Sequence, residues 1–190
     1  MNTASNPGAA ASIPGAATAN PGAATANPGA ATSLVSAELE RRVVDLNFRY
    51  ARCLDEARLS EWPDFFSDEC RYLLHSRENL DQGLEGYWLY FENKRMLRDR
   101  VVSLLEVNIY HIHYERRFVS NVMVTGRDGD CWLARSNYMM MNTDNEGRSR
   151  IFSVGEYRDR IVDEGGVLRF RERLVVVDTF TVESHISMPI

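Results

Sequence analysis

The sequence predicts an α+β fold in which helices come first and a curved antiparallel sheet follows. Three observations carry that prediction. Between Ser36 and Ala57, apolar residues recur at three- and four-residue steps, the period of an amphipathic helix. From Glu115 to Asp178, four long runs are separated by short turn signals, the pattern of a meander. The last run alternates: Leu168, Phe170, Leu174 and Val176 share one face of a strand and Arg169, Arg171 and Arg173 the other, until Val175 and Val177 turn that second face apolar. A strand end buried on both sides needs cover on both, so part of the outer face of the sheet is expected to meet another protein.

Each element follows from its residues. Ser36 is placed to cap the first helix, with Glu38 and Glu40 at the positive end of its dipole and Leu39, Val43, Leu46, Tyr50, Cys53 or Leu54, and Ala57 on its apolar stripe. Glu61 to Phe66 reads as a short second helix with Pro63 in its first turn, and Cys70 to His75 as a strand. Glu85 to about Val107 reads as a third helix, with Tyr87, Tyr90 or Phe91, Lys94, Leu97, Val101 and Leu104 or Leu105 along one side. The meander then runs Glu115–Val124, Cys131–Met141, Arg148–Val162 and Val167–Asp178; Asp128-Gly129 marks the first hairpin. Strands of that length coil, so the sheet should curl around the first helix and leave a cone.

Residues 1–35 are a different material from residues 36–190. Pro-Gly-Ala-Ala recurs every seven residues with prolines at 7, 14, 21 and 28, and no charge precedes Glu38. Proline and glycine break helices and alanine offers no seam, so this is expected to be a disordered tail with no basic targeting signal. The remainder suits one domain: of 190 residues, 44% are hydrophobic and 26% charged. A balance of 22 basic against 27 acidic residues argues against a nucleic-acid binder, and no apolar run approaches the roughly eighteen residues that span a membrane. Cys53, Cys70 and Cys131, odd in number and far apart, read as reduced, half-buried thiols, which makes the expected location cytoplasmic.

Candidate chemistry is sparse. His111 and His113 would share one face of a strand, a spacing that can bind a metal with Glu106 or Glu115 as a third ligand, although such a pair is more often surface or interface polarity. A cone-pocket acid or base could come from Tyr50, Asp55, Asp64, His75 or His113; the plainer reading makes the two aspartates helix-end and turn residues and Tyr50 core. Glu172 sits on the face of Phe170 and Leu174, where a carboxylate needs a partner. Met139-Met140-Met141 suits core on one side and an irregular contact surface on the other. There is no phosphate-binding glycine loop, nucleophile elbow or dinucleotide fingerprint.

Trp62-Pro-Asp-Phe-Phe-Ser-Asp68 resembles the Trp-x-x-Phe-Phe-x-Asp segment of NTF2-like or SnoaL-like (cystatin-like) cone folds. Four further pieces are similar to one family, the small or β subunit of aromatic-ring-hydroxylating dioxygenases, the Rieske non-haem iron oxygenases. They are Phe91 to Val101, Arg117-Phe-Val-Ser-Asn121-Val, Gly155-Glu-Tyr157-Arg-Asp159 with Leu168 to Asp178, and Pro189-Ile190. The likeness covers residues 36 to 190; the tail departs from it, as does Asn108 to Arg116, which replaces the usual wording before the Ser-Asn strand.

The resemblance implies a non-catalytic structural subunit with no catalytic residue, cofactor or metal of its own. Its partner, the large α subunit, would hold the Rieske [2Fe-2S] cluster and a mononuclear Fe(II), receive electrons from NADH through a reductase and add O2 to an aromatic ring, an aromatic acid among the candidates. This chain lacks Cys-x-His followed by Cys-x-x-His, so it does not build a Rieske centre by that pattern. With other β subunits and the α subunit an α3β3 assembly is expected. Arg117, Tyr157, Arg158, Arg169, Arg171 and Arg173 are the expected contact residues, since arginine and tyrosine are favoured at interfaces. Two other readings fit a cone: a stand-alone lyase or isomerase, and a small-ligand-binding module.

Overall fold

The first helix forms where its capping signal puts it. α1 spans Ala37–Asp55, the Ser36 hydroxyl accepts from the Leu39 amide at 3.1 Å, and the helix stops before Ala57, whose φ of 55° no helix continues through. The computed structural model describes residues 35–107, 114–179 and 188–190; residues 1–34 of the expected tail lie outside that range. A 3-10 turn at Leu59–Phe65 contains Pro63 and buries Trp62, after which the chain continues as β1, Phe66–Ser76.

The expected third helix is corrected in its first half. After a single turn of helix, α2 (Arg77–Asp81), residues Tyr87–Phe91 form a strand, β2, which pairs antiparallel with β1. Only Lys94–Val102 is α-helical (α3), with the Asn93 carboxamide oxygen capping the Met96 amide at 3.0 Å; a π turn at Ser103–Val107 ends it. Tyr-Trp-Leu-Tyr-Phe is the kind of aromatic run that strands favour, and a register on β1 decides the matter.

The meander is as expected: β3 (Tyr114–Asp128), β4 (Cys131–Thr143), β5 (Ser149–Glu164) and β6 (Val167–Val177). The strand order is β2-β1-β6-β5-β4-β3, and β1 and β6 are the parallel pair. The stripe of α1 packs on the inner face of this sheet, where Leu46 and Tyr50 meet Tyr157, Phe170 and Val175 in one core. Gly155 admits a close approach: a Cβ there would fall on the Val176 carbonyl oxygen and touch the Tyr138 ring, which stacks on Tyr157 at 4.7 Å.

The alternation expected for β6 holds only to Phe170. The β5–β6 register shifts between Arg160 and Ile161, leaving Arg171 as an extra residue, and beyond it Arg173, Val175 and Val177 take the inner side while Glu172 and Leu174 turn outward. The end of β6 is buried on both sides, as expected, but its outer cover comes from within the chain: Val176 pairs with His75 on β1 and is fully buried, and α2 packs on β6.

Candidate functional site

The interior of the cone is built around Arg173. Its guanidinium is fully buried and held by Asp159 in a two-pronged ion pair at 2.9 and 2.8 Å. It also donates to Asn47, a polar residue set into the stripe of α1 one turn after Val43, whose carbonyl it caps. The aromatic rings of Phe170, Tyr157 and Tyr50 lie 3.9, 4.1 and 4.2 Å from the guanidinium carbon, so the cation is sandwiched by π faces. Burial works against the charge, yet Asp159 and the surrounding rings hold Arg173 protonated above the ordinary guanidinium range. The same burial pushes the hydroxyls of Tyr50, Tyr72 and Tyr157 upward, away from any role as a base near neutrality. Tyr50 and Tyr72 both donate to the Ile190 carbonyl, at 3.0 and 3.1 Å, so Ile190 stoppers this end of the core.

A second buried arginine closes the neighbouring corner. Arg117 ion-pairs with Asp55 and with Glu115, each at 2.9 Å, and donates to the Pro189 carbonyl. Asp55 therefore works as a clamp between α1 and β3. On the outer face, Glu156 is ringed by Arg77, Arg135 and Arg158 at 2.8, 2.5 and 2.7 Å. Burial alone would raise its carboxyl, but the three guanidinium groups hold it at about 2.

The remaining candidates separate. Asp64 is exposed and lies 3.3 Å from Lys94, and Glu106 is exposed on the π turn. His75 is buried with its ring nitrogens facing the carbonyls of Ser76 and Leu84. His111 and His113 lie outside the described residues, among which no three of His, Cys, Asp and Glu are grouped to hold a metal. All three cysteines are free and buried; burial pushes the thiols of Cys53 and Cys70 up to about 11, and they stand on α1 and β1 with no histidine pair beside them, so the described residues do not fit a Rieske cluster. Glu172, turned outward, pairs with Arg71.

Of the six expected contact residues, the structure keeps three at the surface and takes three inside. Arg158 reaches Glu156, Arg169 reaches Glu164 and the Asp64 carbonyl, and Arg171 reaches Glu69, each with part of its side chain in solvent. Arg117, Tyr157 and Arg173 are corrected: burial and intrachain partners remove them from any exposed face. The bulge at Arg171 is the physical reason for Arg173. Asn47, Arg77 and Arg135 were not singled out by sequence, and Glu156 and Asp159 entered only as part of a family motif, with no role. A lone asparagine in an apolar helical stripe is the one signal that could have pointed inward.

Fold and interior together define an NTF2-like cone in which Asp159, Arg173, Tyr50, Tyr72 and Tyr157 are shut away from solvent. Residues 49–184 match the family described as ring hydroxylating beta subunit, and the chain belongs to it. It is 38% identical over 146 residues to the anthranilate 1,2-dioxygenase small subunit of Burkholderia cepacia, covering 76% of this chain and 90% of that protein. It is 28% identical over 151 residues to the terephthalate 1,2-dioxygenase terminal oxygenase component subunit beta 2 of Comamonas sp, covering 80% and 98%. A crystal structure of a chain assigned as the beta subunit of an aromatic-ring-hydroxylating dioxygenase from Novosphingobium aromaticivorans superposes with a TM-score of 0.73 at 36% identity, over 80% of this chain and 96% of that one.

Proposed function

We propose that this chain is the structural subunit of a multicomponent ring-hydroxylating dioxygenase, holding in place an α subunit that performs the oxygen chemistry. One observation carries the reading for this chain itself: Asp159, Arg173, Tyr50 and Tyr157, the groups at the centre of the described interior, are all buried in packing. The α subunit would hold the Rieske [2Fe-2S] cluster and the mononuclear Fe(II), with electrons from NADH arriving through a reductase. Anthranilate and terephthalate in the names of two relatives favour an aromatic acid as the substrate of the assembly. A cytoplasmic α3β3 complex fits this role, and among the described residues no helix is long and apolar enough to cross a membrane.

Contacts between β subunits are assigned to the outer face near Arg158, Arg169 and Arg171, whose guanidinium groups lie partly in solvent and can exchange intrachain carboxylates for those of a neighbour. Co-expression with the large subunit tests the whole reading. A single iron-containing species with both chains in equal number, which turns over when NADH and the reductase are supplied, is expected. Conversion of an aromatic substrate by this chain alone would overturn it.

A further inference from the structure

We propose that the groove between α1 and the edge strand β3 receives the catalytic subunit, through a surface that presents an apolar side chain flanked by carboxylates. This rests on the reading above that the chain works beside such a subunit. The groove measures about 590 Å³ and runs between Phe48, Ala51 and Arg52 on α1 and Arg116, Phe118 and Val119 on β3. Phe48 and Phe118 stand 53% and 52% exposed on its two walls. Across the outer face, Phe118 registers with Met139 and then Val154, and Arg116 with Met141 and then Ile151, so the aromatic rim continues into an apolar stripe over three strands. Contiguous apolar surface with arginine at its border is the composition of a protein contact.

Charge selects the occupant. The two carboxylates lining the groove are already engaged: Asp55 with Arg117 at 2.9 Å, Glu56 with Arg58 at 3.0 Å. Arg116 donates to the main-chain carbonyls of Asp55 and Glu115, and Arg52 forms no ion pair among the described residues. Two guanidinium groups with no carboxylate partner among the described residues therefore border two exposed rings, and their complement is an acidic side chain next to an apolar one. Asp55 also limits the mode of docking. Its carboxylate accepts the Arg117 main-chain N–H, at 3.2 and 3.1 Å, on the edge of β3 that no strand covers among the described residues, which blocks strand addition there and leaves side-chain contact.

The test is binding of the full-length chain to the co-expressed large subunit, with Phe118→Asp and Arg116→Glu on the strand side and Phe48→Ser with Arg52→Glu on the helix side. Each wall should weaken assembly roughly tenfold or more, with the circular dichroism of the folded chain and its self-association unchanged. If Phe118→Asp unfolds, the helix-side pair decides. Wild-type-like binding by the folded variants overturns the groove while leaving the subunit reading intact. Loss of self-association with large-subunit binding retained gives the groove to a second copy and overturns it too. A wild-type chain that never binds the large subunit removes both.

Discussion

Arg173 and Arg158 lie on adjacent strands, and the residues opposite them, Asp159 and Leu174, are their own sequence neighbours in swapped places. One guanidinium is sealed inside with a single carboxylate; the other shares Glu156 with Arg77 and Arg135 at the water's edge. The chemistry is the same and the energetics are not. Inside, each charge depends on the other, because desolvation is offset only while the pair is complete. Outside, the three guanidinium groups are partly solvated, so water stands in for a partner that one of them loses, while Glu156 keeps the others.

The contrast can be broken most severely from within. Arg173→Ala strands Asp159 in the core and should lower the unfolding free energy by about 3–5 kcal/mol in urea titration. The double change Arg173→Met with Asp159→Leu should recover most of that loss, because no charge is left unpaired. Gly155→Ala pushes a methyl group against the Val176 carbonyl and should cost about 1–3 kcal/mol, with loss of near-ultraviolet ellipticity from the stacked Tyr138 and Tyr157. Glu156→Gln should cost about 1–2 kcal/mol, since its arginine partners are partly solvated.

The same carboxylate gives a pH signature. Its folded value, about 2, lies below the ordinary 4.5, so its contribution is complete above pH 4.5 and is lost as pH falls toward 2. Urea midpoints measured down that range should fall less for Glu156→Gln than for the wild type. The smallest effect belongs to Arg171→Ala, whose partner Glu69 is almost fully exposed: stability should change by less than about 0.5 kcal/mol, while self-association weakens if this face joins β subunits.

Most of the architecture was legible because its signals are local. Ser36 with two following glutamates announces α1, and Asp128-Gly129 announces the first hairpin. Two features were not. Tyr87–Phe91 has apolar residues that satisfy a helical spacing as well as a strand, and only pairing with β1 separates them. The bulge at Arg171 inverts the faces of everything after it, so strict alternation sent Arg173 outward and Glu172 inward. A charge in a sequence reads as surface; nothing local reveals that Asp159, fourteen residues earlier, waits opposite. The groove was invisible for a related reason, since Phe48 and Phe118 become neighbours only through the packing of α1 on β3.

The parallel pairing of β1 with β6 bears on synthesis. Residues 66–76 leave the ribosome about a hundred residues before residues 167–177, the strand they lie beside, so the early pair of β1 and β2 stays unsheltered on that side until β6 is made. The interior that surrounds Arg173 closes only when the final strand emerges. Docking of a large companion that reads the finished surface must then wait until that strand has emerged and paired.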